Sequence, residues 1–291
     1  MINKLIIFGS NGMLGNYIKS YFTKMTTYKV ICVTRKEYEI IPDNISKLEK
    51  FLLSMISESK SESESKSESK SESENTCIIN CNGLIPQRVD KAQYDSYYLI
   101  NTIFPLYLSN ICKKYNIKLI CPTTDCVFSG KKGDYIETDF HDEINTYGIS
   151  KSLGESINAT IIRTSIIGEE LQNKKSFLEF VKSSDTINGW ENHLWNGITC
   201  YQYCKVIDKI ISEDLFWKGI RHIYSPVKKT KYEVACIIKR VYGLSVVINK
   251  CNTDNIIDKT LFSIYNTNTI FNIPSLEEQI YEQSQYTVIS T

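Results

Sequence analysis

The chain has 291 residues, a formal net charge of +1 and 42% hydrophobic residues. That supplies the core of one large α/β domain, or of one domain with a smaller lobe, while a charge this close to zero argues against a nucleic-acid partner held through phosphate contacts. No apolar run reaches the roughly 18 residues of a membrane span, and the N-terminal MINKLIIFGS passes into a glycine turn too early for a signal peptide.

In chain order, KLIIF reads as a buried strand, followed by a glycine turn and a helix with apolar residues at Leu14, Ile18 and Phe22. KVICVTR (29–35) is a second strand and residues 44–56 an amphipathic helix. Serine then occupies every odd position from 57 to 73, with Glu or Lys between. This run (57–74) cannot bury apolar surface and reads as a disordered surface insertion, which loop-closure entropy tolerates. TCIINCNG (76–83) is a third strand, and residues 98–116 form a helix expected to kink at Pro105. Residues 117–128 are a strand running into a loop, 147–157 a helix and 159–168 another strand. Strands alternating with helices imply a doubly wound parallel sheet of Rossmann type. After Gly168 the pattern loosens, with helices at 176–182, 203–211 and 231–242 and a short strand near 222–224. The expected division is a nucleotide-binding domain over 1–168 and a smaller substrate-binding lobe over 169–291 that partly returns to the first. The ten cysteines form no CxxC pair and no zinc-ligand pattern; free thiols in apolar runs behave as small hydrophobes and point to a reducing, cytoplasmic compartment.

Gly9, Gly12 and Gly15 give G-x-x-G-x-x-G directly after the first strand. The glycines allow a tight turn, close approach to a pyrophosphate and helix–strand packing, with the helix N-terminus facing the phosphates. The loop Gly9, Ser10, Asn11, Gly12, Met13, Leu14 and Gly15 is thus the expected dinucleotide cradle. Where an acidic residue would bind the 2′-hydroxyl of NAD, the second strand ends in Thr34, Arg35 and Lys36. Arg35 suits a 2′-phosphate and favours NADPH, while Glu37 and Glu39 keep NADH open.

Tyr147 and Lys151 form Y-x-x-x-K, which on a helix puts the ammonium beside the phenol. A neighbouring cation favours phenolate, so Tyr147 can donate a proton to a carbonyl near neutral pH. The pair lies downstream of a strand ending in Thr123 and Thr124, whose hydroxyls could polarise the same carbonyl.

GSNGMLG, INCNG, TTDCVFSG, YGISKSLGE and IIRTSIIG together resemble an extended short-chain dehydrogenase/reductase, and more narrowly the dTDP-4-dehydrorhamnose reductase family. The resemblance covers residues 1–168 and continues more weakly through WNGITCYQYCKVI. It implies catalysis by Thr124, Tyr147 and Lys151, NADPH as hydride donor, and a nucleotide-linked 4-keto-6-deoxysugar as substrate. It implies that Asn82 and Gly83 flank the nicotinamide ribose, with Tyr147 and Lys151. It also implies that Thr124, Asp125, Trp195, Asn196 and Thr199 meet the sugar nucleotide, that no metal is needed, and it allows a homodimer. TTDCVFSGKKG is similar to reductases proposed to act on UDP-2-acetamido-2,6-dideoxy-hexuloses. Cys126 stands where GDP-fucose synthase carries its epimerisation base; the alternative is a space-filling thiol. The acid partner such an epimerase needs would be His193, with Lys175 behind it. A second class of reading is a non-catalytic NADP-binding regulatory subunit of the same fold, against which the intact Thr124, Tyr147 and Lys151 argue.

Overall fold

The computed structural model describes residues 1–57, 72–86, 94–172 and 174–289, so most of the Ser/Glu/Lys run, and the disorder expected of it, lies outside the described residues. The chain opens with β1 (Lys4–Phe8), α1 (Met13–Met25), β2 (Lys29–Val33), α2 (Leu48–Ile56) and β3 (Thr76–Asn80). Then come α3 (Tyr94–Tyr98), a π-helical turn Leu99–Ile103 and α4 (Phe104–Lys114). The irregularity expected at Pro105 is that π turn: the helix runs on without a break from Tyr94 to Lys114, and the widened turn just before Pro105 takes up the hydrogen bond its missing N–H cannot make. β4 (Lys118–Thr124) passes into a single 3-10 turn (Asp125–Val127), and α5 (Thr146–Gly154) leads to β5 (Thr160–Thr164).

The expected strand 159–168 is two strands. After Thr164 the chain leaves the main sheet, and β6 (Ile166–Ile167) pairs with a strand further on. The remainder comprises α6 (Phe177–Ser183), β7 (Thr186–Trp190), β8 (His193–Trp195), β9 (Ile198–Thr199), α7 (Cys200–Ser212), β10 (Gly219–His222), β11 (Lys229–Thr230), α8 (Lys231–Tyr242), β12 (Val247–Cys251), β13 (Ile257–Asp258) and α9 (Leu276–Gln285). β8, β11 and β13, at two or three residues, are too short to show period 2 in sequence, and β7 and β12, with Gly189 or polar residues among few apolar ones, give no apolar run. They form small sheets, β12–β7 and β11–β8–β13, apart from the main one.

The main sheet has six strands, all parallel, in the order β10-β5-β4-β3-β1-β2. Strand alternation divides its core. Leu5, Ile7, Cys77, Ile79, Ile120 and Ile162 point to one face, under α1 and α7. Ile6, Phe8, Ile78, Leu119, Cys121 and Ile161 point to the other, under α2 and α4. The fold is a Rossmann-type doubly wound sheet, and its direction of winding reverses between β1 and β3, so a crevice opens at their carboxyl ends. All ten cysteines are free. Among the described residues no helix is long and apolar enough to cross a membrane.

Candidate active site

The crevice between β1 and β3 is lined by the glycine loop. Gly9 has φ +71°, its N–H donates to the Val33 carbonyl (2.9 Å), and its own carbonyl accepts from Gly12 (3.0 Å). A Cβ on Gly15 would lie 2.2 Å from the Gly9 carbonyl, and one on Gly9 would lie 2.8 Å from Asn82 Oδ1. The turn therefore exists only with glycine at both positions. Asn11 accepts from Asn16 Nδ2 (3.0 Å), Ser10 is fully buried, Leu14 packs into the core and Met13 against its edge. No side chain caps α1 and its first turn carries no acidic residue, which leaves its orphan N–H groups to an anion. At the end of β2, Glu37 is committed to its own turn. It accepts from Thr34 N (2.8 Å) and Thr34 Oγ1 (2.5 Å), and those hydrogen bonds hold it below the usual carboxylate range. Arg35 is exposed beside it.

At the end of β4, Thr124 Oγ1 accepts from Cys126 N (3.1 Å) and donates to Asp125 Oδ1 (3.1 Å). Tyr147, on α5, faces the Thr124 hydroxyl; where a lowering by Lys151 was expected, burial first, then the Cys126 thiol, push its phenol above the ordinary value. Lys151 lies one turn further on, and a Cβ on Gly83 would sit 3.0 Å from its Nζ. Burial lowers Lys151 to about 8, with Cys121 and then Glu155 opposing. α5 is fixed by Asn101 in the π turn. Its Nδ2 donates to Ser150 Oγ (3.0 Å) and to the Leu84 carbonyl (3.0 Å), and its Oδ1 accepts from Leu84 N (2.9 Å). The structure thus brings Thr124, Asp125, Cys126, Tyr147, Lys151 and Gly83 together, with Asn82 linking them to the glycine loop.

Other expected residues are employed elsewhere. Asn196 is held by the backbone of Leu261, donating to its carbonyl (2.8 Å) and accepting from its N–H (2.9 Å). Thr199 is fully buried and caps α7 by accepting from Gln202 N (3.1 Å). Asn196 keeps one further Nδ2–H beyond this pair, while the Thr199 side chain lies wholly out of solvent. His193 is engaged with Thr253 Oγ1 (2.7 Å) and packs on Trp190 with centroids 4.4 Å apart. The positive groups that act on Cys126 and Asp125 are instead Lys231 and Lys259. Lys231 Nζ stands 4.9 Å over the Trp195 ring and 5.1 Å over Phe177, so Trp195 supports a cation at the pocket. Lys259 pairs with Glu143 (3.2 Å). Cys126 donates to Asp125 Oδ1 (3.6 Å), and burial, then Asp125, push its thiol up to about 12.

A buried network behind the site went unread in the sequence. Arg163, in the middle of β5, is fully buried and ion-pairs with Glu155 at the end of α5. It also donates to His222 Nε2 (2.8 Å) and His141 Nε2 (2.7 Å). Arginine cannot accept, so both rings carry their proton on Nδ1. His222 donates it to the Phe262 carbonyl (2.8 Å), His141 to Ser152 Oγ (2.5 Å). Thr123 Oγ1 donates to Glu155 (2.7 Å). The available signals were a charged residue inside the apolar run IIRTS and a glutamate continuing the four-residue period of Tyr147 and Lys151.

Comparison with known proteins places this geometry in context. Residues 3–259 match the family model described as the RmlD substrate binding domain. A dTDP-4-dehydrorhamnose reductase of Aggregatibacter actinomycetemcomitans is 24% identical over 248 residues, covering 81% of this chain and 78% of that protein. The spore coat polysaccharide biosynthesis protein SpsK of Bacillus subtilis is 24% identical over 268 residues, covering 89% and 86%. The crystal structure of a Bacillus anthracis dTDP-4-dehydrorhamnose reductase in complex with NADP superposes with a TM-score of 0.76 at 22% identity, covering 97% of this chain and 98% of that one.

Proposed function

The chain belongs to the RmlD substrate binding domain family, and from that premise we propose that it reduces the C4 keto group of a nucleoside diphosphate-linked 4-keto-6-deoxyhexose with NADPH. The observation that carries the reading is the meeting of Thr124, Tyr147 and Lys151 beside Gly83, at the carboxyl edge of the sheet next to the glycine loop.

The residues present fit the cofactor. The uncapped start of α1 and the glycine cradle suit a pyrophosphate. Exposed Arg35 suits a 2′-phosphate, Glu37 is held by Thr34 rather than free for a ribose hydroxyl, and Asn82, Gly83 and Lys151 would hold the nicotinamide ribose. When bound, NADPH supplies the hydride for C4. The chain's own residues manage the proton. Burial keeps the Tyr147 phenol protonated, as a donor must be. Its O–H donates to the substrate's C4 oxygen and delivers the proton there, while Thr124 gives that oxygen a second hydrogen bond. The charged Lys151 then stabilises the phenolate left behind. Asp125, Trp195 and Lys231 form the sugar side of the pocket.

The test is a panel of dTDP- and UDP-linked 4-keto-6-deoxy sugars, including 2-acetamido forms, followed by NADPH absorbance and product NMR. Stoichiometric NADPH oxidation with a new C4 carbinol is expected from at least one member. NADPH binding without oxidation by any member marks a regulatory subunit and sinks the proposal. Arg35→Asp should weaken NADPH by about 10- to 100-fold and spare NADH, since a charged hydrogen bond of roughly 1.5–3 kcal/mol is lost. Unchanged NADPH affinity in the folded variant refutes that role for Arg35.

The reaction proposed is reduction without 3-epimerisation. A thiol at about 12 is almost wholly protonated at neutral pH, and Cys126 donates to Asp125 rather than accepting a proton. With a 4-keto substrate in D2O and no NADPH, C3 should keep its proton, and Cys126→Ser should reduce substrate at a rate within about threefold of wild type. Rapid C3 exchange that Cys126→Ser abolishes would restore the epimerase reading.

A further inference from the structure

Tyr147, Lys151 and Glu155 follow one another at intervals of four, so they share one face of α5 and its C-terminal cap. The first two belong to the proton-transfer set; the third has been assigned nothing. Glu155 is almost fully buried, and a carboxylate in such a place must be held by partners. Three elements hold it. Arg163 of β5 donates from Nε (3.2 Å) and Nη2, Thr123 at the end of β4 donates from Oγ1 (2.7 Å), and His141 Nε2 lies 3.4 Å away. The carboxylate can neither swing out to solvent nor turn away from α5.

Glu155 and Lys151 line the same small cavity, together with Asn80, Asn101, Cys121 and Thr123. The space open to the centre of a water there is about 20 Å³, enough for one water with several polar partners. We propose that Glu155 is a positioning residue for catalysis, a fixed counter-charge that faces Lys151 across this cavity and keeps its ammonium charged beneath Tyr147. The proposal rests on the reductase reading of the site, but its own readout does not require turnover.

The groups that bear on Lys151 are few. Cys121 on β4 opposes the lowering of Lys151 more than Glu155 does, but its thiol, pushed up to about 12 by burial, is protonated at neutral pH; Tyr147 on α5 is held protonated by burial, and Asn80 and Asn101 are uncharged. Arg163 and His141 lie behind Glu155. His141 is lowered by burial and neutral, so the charges of the network at neutral pH are those of Arg163 and Glu155. Glu155 is then the one negative charge lining the cavity, and burial alone would drive Lys151 further down than about 8.

The experiment titrates Lys151 by NMR in protein labelled with 13C at lysine Cε, its resonance assigned with Lys151→Arg. Wild type should titrate near 8. Glu155→Gln keeps the shape and removes the charge, and Lys151 should then titrate roughly one pH unit lower, the size expected for a lost opposite charge nearby. Glu155→Asp keeps the charge for Arg163 but draws it back from the cavity, so it tests the same distance-dependent attraction in a variant that retains the buried ion pair, and should move Lys151 in the same direction by less. Where turnover is measurable, the basic limb of kcat should move down with Lys151 and KM for NADPH should hold. A Lys151 titration that stays in place in both variants, or in Glu155→Asp if only that one folds, overturns the proposal and leaves Glu155 as a partner of Arg163 alone. Failure to reduce any sugar nucleotide with this titration shift intact refutes the reductase reading and not the coupling.

Discussion

Replacing Tyr147 with phenylalanine is expected to lower kcat for reduction by about 100- to 10,000-fold, the range covered by a positioned proton donor. The substitution removes one oxygen and leaves the ring, which packs 6.2 Å from Tyr97, where it is. Folding and NADPH affinity should therefore change little. What is lost is specific to the transition state, where the C4 oxygen becomes basic and must be protonated as the hydride arrives. Thr124 cannot replace the phenol, because an aliphatic hydroxyl is a far weaker acid than a phenol. A kcat within fivefold of wild type, in a protein that still binds NADPH, would remove Tyr147 from the proton-donor role.

Arg163→Met is expected to cost about 3–5 kcal/mol of stability, because it leaves the Glu155 carboxylate buried without its cation. For a chain of 291 residues that corresponds to a fall in Tm of roughly 5–8 °C. Arg163 is fully buried, and four groups on other elements turn toward it: Glu155, His141, His222 and the Phe128 ring, 5.0 Å from its guanidinium. Methionine fills much of the volume but satisfies none of these acceptors. Pairing Arg163→Met with Glu155→Gln should recover part of the loss, since the buried charge goes with its partner, and a double-mutant cycle measures the coupling. A melting curve for Arg163→Met within 2 °C of wild type would show that the network contributes nothing to the fold.

Lys151→Arg, used above to assign the NMR resonance, also separates the two effects: its charge does not titrate in this range, so the basic limb attributed to Lys151 should vanish while the fold, which depends on Arg163, stays intact.

The amino-acid sequence by itself determined the parallel sheet, because β1 and β3 are buried on both faces, β4 and β5 are buried over their apolar centres, and each had to carry a short apolar run. It determined the glycine loop, since no side chain fits at Gly9 or Gly15, and it determined the Tyr147–Lys151 pair, since helical spacing is a local property. Tertiary structure alone decided the rest. Asn196 and Thr199 sit in a segment that looked like pocket lining, and their side chains also hold the Leu261 backbone and the start of α7. The sequence cannot show this, because a polar side chain reads the same whether its partner is a ligand or a distant carbonyl. Nor could it show that Lys231, rather than His193, bears on Cys126, or that Glu155 is locked by Arg163, His141 and Thr123. Those residues come from separate elements and meet only when β4, β5 and α5 pack. Their meaning lies in hydrogen bonds and burial, and both are properties of neighbours in space, not of neighbours along the chain.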